Sequence, residues 1–248
     1  MTQTPAVSII IPAYNESETI HASIARIARS VSLPFEVIVV VDSVEDTTIP
    51  VIQKIQIEIP QVRIEIQKSR GPAGAIKYGF SQAIAPVVIV TMADGSDDPA
   101  SIDTLVELVG RGCVIAAASR YMPGGQQIGG PRFKAFLSRS AGKSLKIFAG
   151  VTTSDATNSY KAYNRLFVEE VGIESDSGFE IAIELVAKAR RLRRPIAEVP
   201  TIWLDRDAGD SRFMLKKWIP KYLKWYRFAY GPALTIDQLK SKQKEGKE

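Results

Sequence analysis

The sequence predicts an α/β fold in which helices cover both faces of a mostly parallel sheet. Two observations carry this prediction. Short β-branched apolar runs alternate with helical segments through the first 120 residues, with short connections between them. The central run, Val87–Thr91, has no alternating polar positions, which is typical of a strand buried on both faces. Strands and helices that alternate in this way form parallel sheets.

The first half of the chain alternates regularly between strands and helices. We expect strands at Val7–Ile11, Val37–Val41, Val62–Ile66, Val87–Thr91 and Val114–Ala118, with helices at Ile20–Val31, Thr47–Ile57, Ala75–Ala83 and Ile102–Val109. Apolar residues of the first helix recur every three or four positions, which places them on one helical face. Asn15 and Glu18 have the spacing of a capping box at its start. The third strand alternates apolar and polar residues, which indicates a position near a sheet edge.

The second half is less regular and opens with a glycine-rich loop at Tyr121–Pro131. We expect helices at Phe133–Phe148, Phe179–Arg191 and Phe213–Tyr230, and strands at Thr157–Tyr163 and Ile196–Leu204. Pro200 interrupts the last strand, which favours a sheet edge. We interpret residues 1–238 as a single domain and residues 239–248 as a basic, disordered tail.

The composition of the chain limits the classes of protein to which it can belong. Of the 248 residues, 45% are hydrophobic and 24% charged, as expected for a globular protein with a full core. A single cysteine excludes an intrachain disulfide, and neither a signal peptide nor a run of about 20 apolar residues is evident. The formal net charge is +5, and basic residues crowd the C-terminal third, which suggests nucleic acid, a membrane surface or a phosphorylated substrate as partner. Both common phosphate-binding glycine motifs are missing, which excludes a standard dinucleotide or ATP site.

Acidic residues follow two of the predicted strands directly. Asp94, Asp97 and Asp98 come after Val87–Thr91, and Asp42 ends the second strand. Ligands of open α/β sheets bind at the carboxyl ends of the strands. Clustered carboxylates repel one another unless a cation joins them, and their hard oxygens suit Mg²⁺ or Mn²⁺. Asp94 is the preferred ligand because it lies nearest the strand, whereas Asp98 is better placed to cap the next helix.

Seven segments occur in the order found in family 2 glycosyltransferases, which have the GT-A fold, a Rossmann-like α/β architecture. They are Val7–Glu16, Val39–Thr47, Gly71–Gly79, Ala118–Tyr121 with Gly124-Gly125, Leu137–Arg139, Glu198–Pro200 and Arg206–Arg212. The last two resemble the closing motif of the polyprenyl- and dolichol-phosphate sugar synthases. The resemblance implies an inverting enzyme that moves a hexose from a nucleotide-diphosphate sugar to a polyprenyl phosphate.

The resemblance also implies roles for individual residues. The implied nucleotide-sugar contacts are Pro12, Tyr14, Glu16, Asp42, Lys77, Asp94 and Arg212. The implied acceptor-phosphate contacts are Arg120, Arg132, Ser138 and Arg139, since guanidinium groups pair with phosphate in two-point geometry. The implied catalytic residues are Asp94, Arg120 and Arg206.

The metal-binding motif departs from the family pattern. The family's Asp-x-Asp reads Met92-Ala-Asp94 here, and methionine does not ligate a hard cation. We therefore expect Mg²⁺ or Mn²⁺ to be held by Asp94 with help from Asp97. The expected donor is of the GDP-mannose or UDP-glucose type, and nucleic acid is not an expected partner.

The resemblance leaves two alternatives open. A glycosyltransferase acting on a glycan or small-molecule hydroxyl would need a general base, for which Asp155 and Glu180 are candidates. A non-catalytic, anion-binding relative would explain Met92 and the basic C-terminal third. The aromatic and lysine residues of Lys216–Tyr230 either lie in a membrane interface or pack on the domain. We expect a cytoplasmic protein that contacts the cytoplasmic membrane face peripherally or through a membrane partner subunit.

Overall fold

The structure is a computed structural model, and it describes residues 4–69, 71–205 and 215–245. Its strands are β1 Val7–Pro12, β2 Phe35–Val41, β3 Val62–Ile66, β4 Val87–Val90, β5 Ile115–Ser119, β6 Gln126–Ile128, β7 Lys161–Asn164, β8 Ile196–Pro200 and β9 Ile202–Leu204. Its helices are α1 Ile20–Ser30, α2 Thr48–Glu58, α3 Pro72–Gln82, α4 Ile102–Gly110, α5 Arg132–Ser144, α6 Arg165–Val171, α7 Ile181–Arg191, α8 Leu215–Ala229 and α9 Ile236–Glu245. A 3₁₀ turn at Pro99–Ser101 precedes α4, and a π-helical turn at Leu145–Ala149 continues α5.

The main sheet has seven strands in the order β3-β2-β1-β4-β7-β5-β8. All neighbours pair in parallel except β7, which runs antiparallel to both β4 and β5. The mostly parallel α/β prediction is therefore confirmed. The chain passes from β1 outward to β2 and β3 and returns to β4 on the other side of β1. This reversal opens a crevice at the carboxyl ends of β1 and β4, which is where ligands bind in such sheets.

The sheet separates two apolar layers. Helices α1, α2 and α4 pack on one face, and α3, α6, α7 and α8 pack on the other. Every residue of β1 and β4 is buried, which accounts for their continuous apolar sequences. The half-exposed β3 lies at one edge of the sheet and β8 at the other, and both edges match the sequence predictions.

The segment expected to form one strand at Ile196–Leu204 is divided after Pro200. Its first part, β8, stays in the main sheet. Its second part, β9, pairs with β6 in a separate two-stranded ribbon. Pro200 is the last residue of β8 at the sheet edge, which is a position where proline is tolerated in a strand. The ribbon formed by β6 and β9 lies over the carboxyl end of β4, where the backbone of Trp203 bridges to Asp97.

The C-terminal segment and the start of the first helix also differ from the sequence predictions. Residues expected to begin a disordered tail form helix α9, because Leu239 is buried against the domain and Gln243 Nε2 donates to Val171 O at 2.7 Å. Helix α1 has Thr19 at its N-cap position and lacks the predicted capping box. Asn15 instead adopts a positive φ of 55° and accepts a hydrogen bond from the backbone of the loop after β2.

Candidate functional site

Two cavities meet at the carboxyl end of β4. The first, the α1 cavity, has a volume of about 560 Å³ and lies between α1 and the loop after β4. The second, the α5 cavity, has a volume of about 380 Å³ and lies between α5 and α8. Asp94, Ser96 and Asp205 line both cavities. Ligands bound in the two cavities would therefore meet at the wall that these three residues share.

The loop after β1 is tied to the loop after β2. The backbone N–H of Asn15 donates to Asp46 Oδ2 at 3.1 Å, and Asn15 Oδ1 accepts from the backbone N–H of Thr47 at 3.2 Å. These bonds hold the β1 loop at the crevice beside β4. Of the predicted nucleotide contacts, Pro12 is the last residue of β1, and Tyr14 and Glu16 lie in the loop that follows it.

Asp42, predicted to lie by the nucleotide base, is held by two donors at the end of β2. Its Oδ2 accepts from the backbone N–H of Gly71 at 3.0 Å, and its Oδ1 accepts from Gln67 Nε2. Gly71 immediately precedes α3, which carries the predicted contact Lys77. The Oε1 atom of Gln67 is buried and has no hydrogen-bond partner in the part of the chain that the structure describes. Asp42 is thus fixed in place, with one buried acceptor beside it.

The aspartates after β4 have different surroundings. Asp94 faces both cavities, and its Oδ1 accepts from the backbone N–H of Ser96 at 3.0 Å. Asp97 is buried, and its Oδ2 accepts from Thr91 Oγ1 at 2.9 Å and from the backbone N–H of Met92 at 3.2 Å. Burial, together with the nearby charge of Asp94, raises the pKa of Asp97 to about 6. Asp97 is therefore directed into the protein, which gives no support to the expectation that it shares a metal with Asp94.

Whether a divalent cation fits here depends on which other carboxylate oxygens are available as ligands. Asp98 is the cap that the sequence predicts, because its Oδ1 accepts from the backbone N–H of Ala100 at 3.2 Å. Within the described ranges, no group of three or more His, Cys, Asp or Glu side chains could hold a metal. Asp94 and Asp205 are the carboxylates on the shared wall. Magnesium and manganese are often held by one or two carboxylates together with substrate phosphates, so this oxygen donor set fits such an ion.

Arg120 follows β5 and is held by a two-point ion pair with Asp155. Its Nε lies 2.7 Å from Asp155 Oδ2, and its Nη2 lies 2.9 Å from Asp155 Oδ1. The same Nη2 donates to Ser138 Oγ at 3.2 Å, and that hydroxyl lies 2.6 Å from Thr157 Oγ1. The guanidinium carbon of Arg120 lies 4.9 Å from the centre of the Tyr121 ring. The predicted acceptor residues Arg120 and Ser138 therefore meet on the wall of the α5 cavity.

The ion pair keeps both partners charged although it is buried. Burial alone would raise the pKa of Asp155, but the charge and hydrogen bonds of Arg120 hold it below the ordinary value. Burial also opposes the charge of Arg120, and the Asp155 carboxylate overcomes this and raises the arginine pKa. Lys161, on β7, is fully buried, which lowers its pKa to about 7, and its Nζ donates to the backbone carbonyl of Asn158. The sequence prediction missed Lys161, although a lone lysine in a predicted strand is a signal for it.

The other predicted arginines are less tightly placed. Arg132 is exposed at the start of α5. Arg139 is also exposed, and its guanidinium carbon lies 5.7 Å from the centre of the Tyr121 ring. Arg206 and Arg212 lie outside the described residues. The structure therefore brings Arg120 and Ser138 together and leaves Arg132 and Arg139 on the outer side of α5.

Neither candidate for a general base faces the α5 cavity as an available carboxylate. Asp155 is committed to Arg120 through both of its oxygens. Glu180 is buried; its Oε1 accepts from the backbone N–H of Ser177 at 3.2 Å, and its Oε2 has no partner among the described residues. Glu180 does not belong to the cavity wall.

The sequence prediction also missed the residues that the ribbon contributes. Trp203 and Gln127 line the α5 cavity, and Tyr121 Oη donates to Gln127 Oε1 at 3.0 Å. Asp205 Oδ2 accepts from the backbone N–H of Gly130 at 3.0 Å. Gly130 has a φ of 79°, a left-handed conformation that favours glycine, so the Gly129-Gly130 pair was the available signal for a turn here.

Comparisons with known proteins agree on a family. Residues 8–172 match the model of glycosyl transferase family 2. A dolichol-phosphate mannosyltransferase from Pyrococcus furiosus is 29% identical over 228 residues, which are 88% of this chain and 64% of that protein. A polyprenol monophosphomannose synthase from Mycolicibacterium smegmatis is 28% identical over 217 residues, covering 84% of this chain and 81% of that protein. This chain thus spans slightly less than two thirds of the Pyrococcus protein.

Solved structures share the fold at low sequence identity. Glucosyl-3-phosphoglycerate synthase from Mycobacterium tuberculosis, solved with Mn²⁺, UDP and glucosyl-3-phosphoglycerate, has a TM-score of 0.65 and 19% identity over 93% of this chain and 82% of that one. A mannosyltransferase from Pyrobaculum calidifontis, solved with GDP-mannose and Mn²⁺, has a TM-score of 0.62 and 18% identity, over 97% of this chain and 70% of that one. These likenesses concern the fold, and they confirm the predicted GT-A architecture.

Proposed function

Because the chain belongs to glycosyl transferase family 2, we propose that it transfers a hexose from a nucleotide-diphosphate sugar to a polyprenyl phosphate, with inversion at the anomeric carbon. The donor occupies the crevice between the loop after β1 and the α1 cavity. The acceptor phosphate enters the α5 cavity, and the two substrates meet at Asp94. The names of the curated relatives, which are mannosyltransferases and synthases of polyprenyl-type phosphates, support this assignment of the acceptor.

The observation that carries the proposal is the pairing of Arg120 with Asp155 on the wall of the α5 cavity. A phosphate acceptor is already an anion, so it needs a cation to hold it and little help to lose a proton. A hydroxyl acceptor needs a base instead. The described wall of this cavity presents Arg120, Ser138 and Thr157, and both candidate bases, Asp155 and Glu180, are directed elsewhere. The carboxylates that do line it, Asp94 and Asp205, are the oxygen donor set for the cation. This arrangement favours the phosphate over the hydroxyl acceptor.

The chemistry follows from these positions. An acceptor phosphate oxygen forms the new bond to the anomeric carbon from the face opposite the leaving group. The bond from that carbon to the donor diphosphate breaks, and its electron pair leaves with the nucleoside diphosphate. Asp155 keeps Arg120 charged and oriented, since their bonds use Nε and Nη2 and leave Nη1 for a phosphate oxygen.

A divalent cation, Mg²⁺ or Mn²⁺, would be held by Asp94 and would neutralise charge on the leaving diphosphate. We include Arg206 and Arg212 as further contacts of the donor diphosphate. Only the resemblance to the family supports their role. Arg132 and Arg139, which lie near the cavity on α5, are proposed as secondary contacts that guide the acceptor phosphate. Since the acceptor is a lipid, we also propose that the protein works at a membrane surface.

A transfer assay tests this function. The chain is incubated with a short-chain polyprenyl phosphate, Mn²⁺ and either UDP-glucose or GDP-mannose, and then again with a chelator. We expect a lipid-linked hexose of inverted configuration from one donor, with less product after chelation. If the protein binds neither nucleotide sugar and transfers sugar from neither, it is better explained as a non-catalytic, anion-binding member of the family.

A further inference from the structure

The outer face of α5 and of the π-helical turn after it carries large apolar side chains. Phe133, Phe136, Ile147 and Phe148 have exposed fractions between 60% and 75%. Phe133, Phe136, Ser140, Lys143 and Ile147 follow one another at spacings of three and four residues, which is a single stripe along one side of the helix. We call this stripe, together with Phe148, the α5 face. Isolated apolar residues are common on protein surfaces, whereas four large exposed ones on a single helical segment indicate an interaction site.

The chain segment that bears the α5 face carries positive charge only. Residues 126–154 contain no Asp or Glu, and they contain the basic residues Arg132, Lys134, Arg139, Lys143 and Lys146. Lys146 forms an ion pair with Glu198 at 2.8 Å, while Arg132, Arg139 and Lys143 are exposed around the stripe. A helix with aromatic residues on one side and cations beside them is typical of proteins that lie on anionic bilayers.

The other side of α5 lines the acceptor cavity. Ala135, Ser138 and Ala141 belong to the cavity wall. The same cavity is closed on its far side by α8, whose Ile219 is also exposed to solvent. Helices α5 and α8 are joined by a 2.8 Å hydrogen bond between Ser144 Oγ and Tyr226 Oη. The α5 face and the wall of the cavity in which the proposed function seats the lipid phosphate are therefore opposite sides of the same helix.

We propose that the α5 face docks on the surface of an anionic lipid bilayer and holds the α5 cavity near the membrane, with helix α5 between them. The proposal rests on the proposed function for the identity of the acceptor, but the docking itself is a separate property. Phenylalanines at Phe136 and Phe148 enter the boundary between headgroups and acyl chains. Arg132, Arg139 and Lys143 contact the anionic headgroups, which also orients the lipid phosphate toward Arg120.

The sequence left two alternatives for the aromatic residues of α8, a membrane interface or packing on the domain. The aromatic residues of α8 largely pack on the domain, since Trp225 is buried and its Nε1 donates to Ser175 Oγ at 2.9 Å. Tyr222 lines the α5 cavity. Phe133 and Phe136 of α5 and Phe148 of the turn after it are more exposed than any described apolar residue of α8. No helix in the described ranges is long and apolar enough to cross a bilayer.

Vesicle co-sedimentation tests the proposal without any catalytic step. The full chain is mixed with vesicles of phosphatidylcholine alone or with phosphatidylserine added. We expect binding to the anionic vesicles that weakens with salt, and about tenfold weaker binding for the double variant Phe136→Ser/Phe148→Ser. Lys143→Gln should weaken binding about fivefold on anionic vesicles and leave the weak binding to phosphatidylcholine unchanged.

A matched control separates this surface from general exposure of apolar groups. Ile57 on α2 is 82% exposed, so Ile57→Ser removes a comparable apolar side chain from another surface. We expect Ile57→Ser to bind vesicles like the wild type. The proposal is overturned if the wild type does not bind anionic vesicles, or if both apolar variants lose binding equally. Absence of vesicle binding would instead point to a protein that covers the α5 face.

A second readout distinguishes failure of docking from failure of the proposed function. With a water-soluble short-chain polyprenyl phosphate and no vesicles, Phe136→Ser/Phe148→Ser should transfer sugar at the wild-type rate. With the acceptor embedded in anionic vesicles, the same variant should be about tenfold slower. Vesicle binding without any sugar transfer would keep the docking surface and refute the proposed function.

Discussion

What an aspartate of the site can bind depends on where its side chain points as well as on its being a carboxylate. Asp94 and Asp97 are three residues apart after the same strand, yet one faces two cavities and the other bonds inward to Thr91 and Met92. Their order in the sequence could predict a carboxylate cluster at the strand end. It could not predict which side chain turns inward, because that depends on the backbone of the intervening turn.

Asp94 and Asp98 offer a matched pair for testing the cation site. Asp94→Asn should abolish the Mn²⁺-dependent part of nucleoside diphosphate binding, because it removes the carboxylate proposed to hold the ion. Asp98→Asn should leave that binding intact, because Asn can also accept the cap hydrogen bond from Ala100. Calorimetric titration with Mn²⁺ and with a chelator measures both. Equal losses in the two variants would contradict the assignment.

We expect Arg120 and Asp155 to depend on each other for their contribution to stability, whereas only Arg120 is expected to contact the acceptor. Arg120→Ala leaves the buried Asp155 carboxylate without its partner, so unfolding free energy should fall by about 3–5 kcal/mol. The double variant Arg120→Ala/Asp155→Ala removes both charges and should recover much of that loss. Use of the acceptor should stay impaired in both, with donor binding little changed. Recovery of transfer along with stability would show that Arg120 does not contact the acceptor.

Lys161 should impose a pH dependence on stability. Its pKa in the folded protein is about 7, below the ordinary 10.5, so between these values the unfolded chain binds more protons. The free energy of unfolding should therefore rise between pH 7 and pH 9, by about 2 kcal/mol from this group. Lys161→Met should remove that rise. Urea unfolding of both proteins at the two pH values measures it, and equal slopes would contradict the buried, neutral lysine.

The strands differ in how readily the sequence predicts them. Strands β1, β2 and β4 are buried on both faces, and their sequences are therefore apolar almost throughout. This pattern made them predictable. The antiparallel β7 was harder, because its place between β4 and β5 depends on partners far away in the chain. The ribbon of β6 and β9 contributes Trp203 to the α5 cavity, and no local pattern indicated that pairing.

Helix α9 provides a test at this scale, since its composition suggested disorder. Leu239 is buried in the same apolar layer as α6 and α7. Leu239→Ala should lower the free energy of unfolding by about 2–4 kcal/mol, because it leaves a cavity in that layer. Lys242→Ala, on the same helix, should have an effect within about 0.5 kcal/mol. Chemical denaturation measures both, and equal stabilities would mean that α9 does not pack on the domain.

At the scale of the whole molecule, the reversal of strand order explains why the site lies where it does. The chain returns past β1 to form β4, and the loops that follow β1, β2, β4 and β5 gather at one edge of the sheet. The sequence could predict this edge and most residues on it. It could not supply Asp155 as the partner of Arg120, because 35 residues separate them and only the fold brings them within 2.7 Å.

The most direct measurement of the central claim compares two acceptors that differ in one group. Transfer from the preferred nucleotide sugar is measured with a short-chain polyprenyl phosphate and with the polyprenol of the same chain length. Arg120 faces the acceptor, neither Asp155 nor Glu180 is placed as a base, and Asp94 and Asp205 are the donor set for the cation. We therefore expect product from the phosphate and none from the alcohol. Comparable transfer to the alcohol would contradict the account and favour a glycosyltransferase that acts on hydroxyl groups.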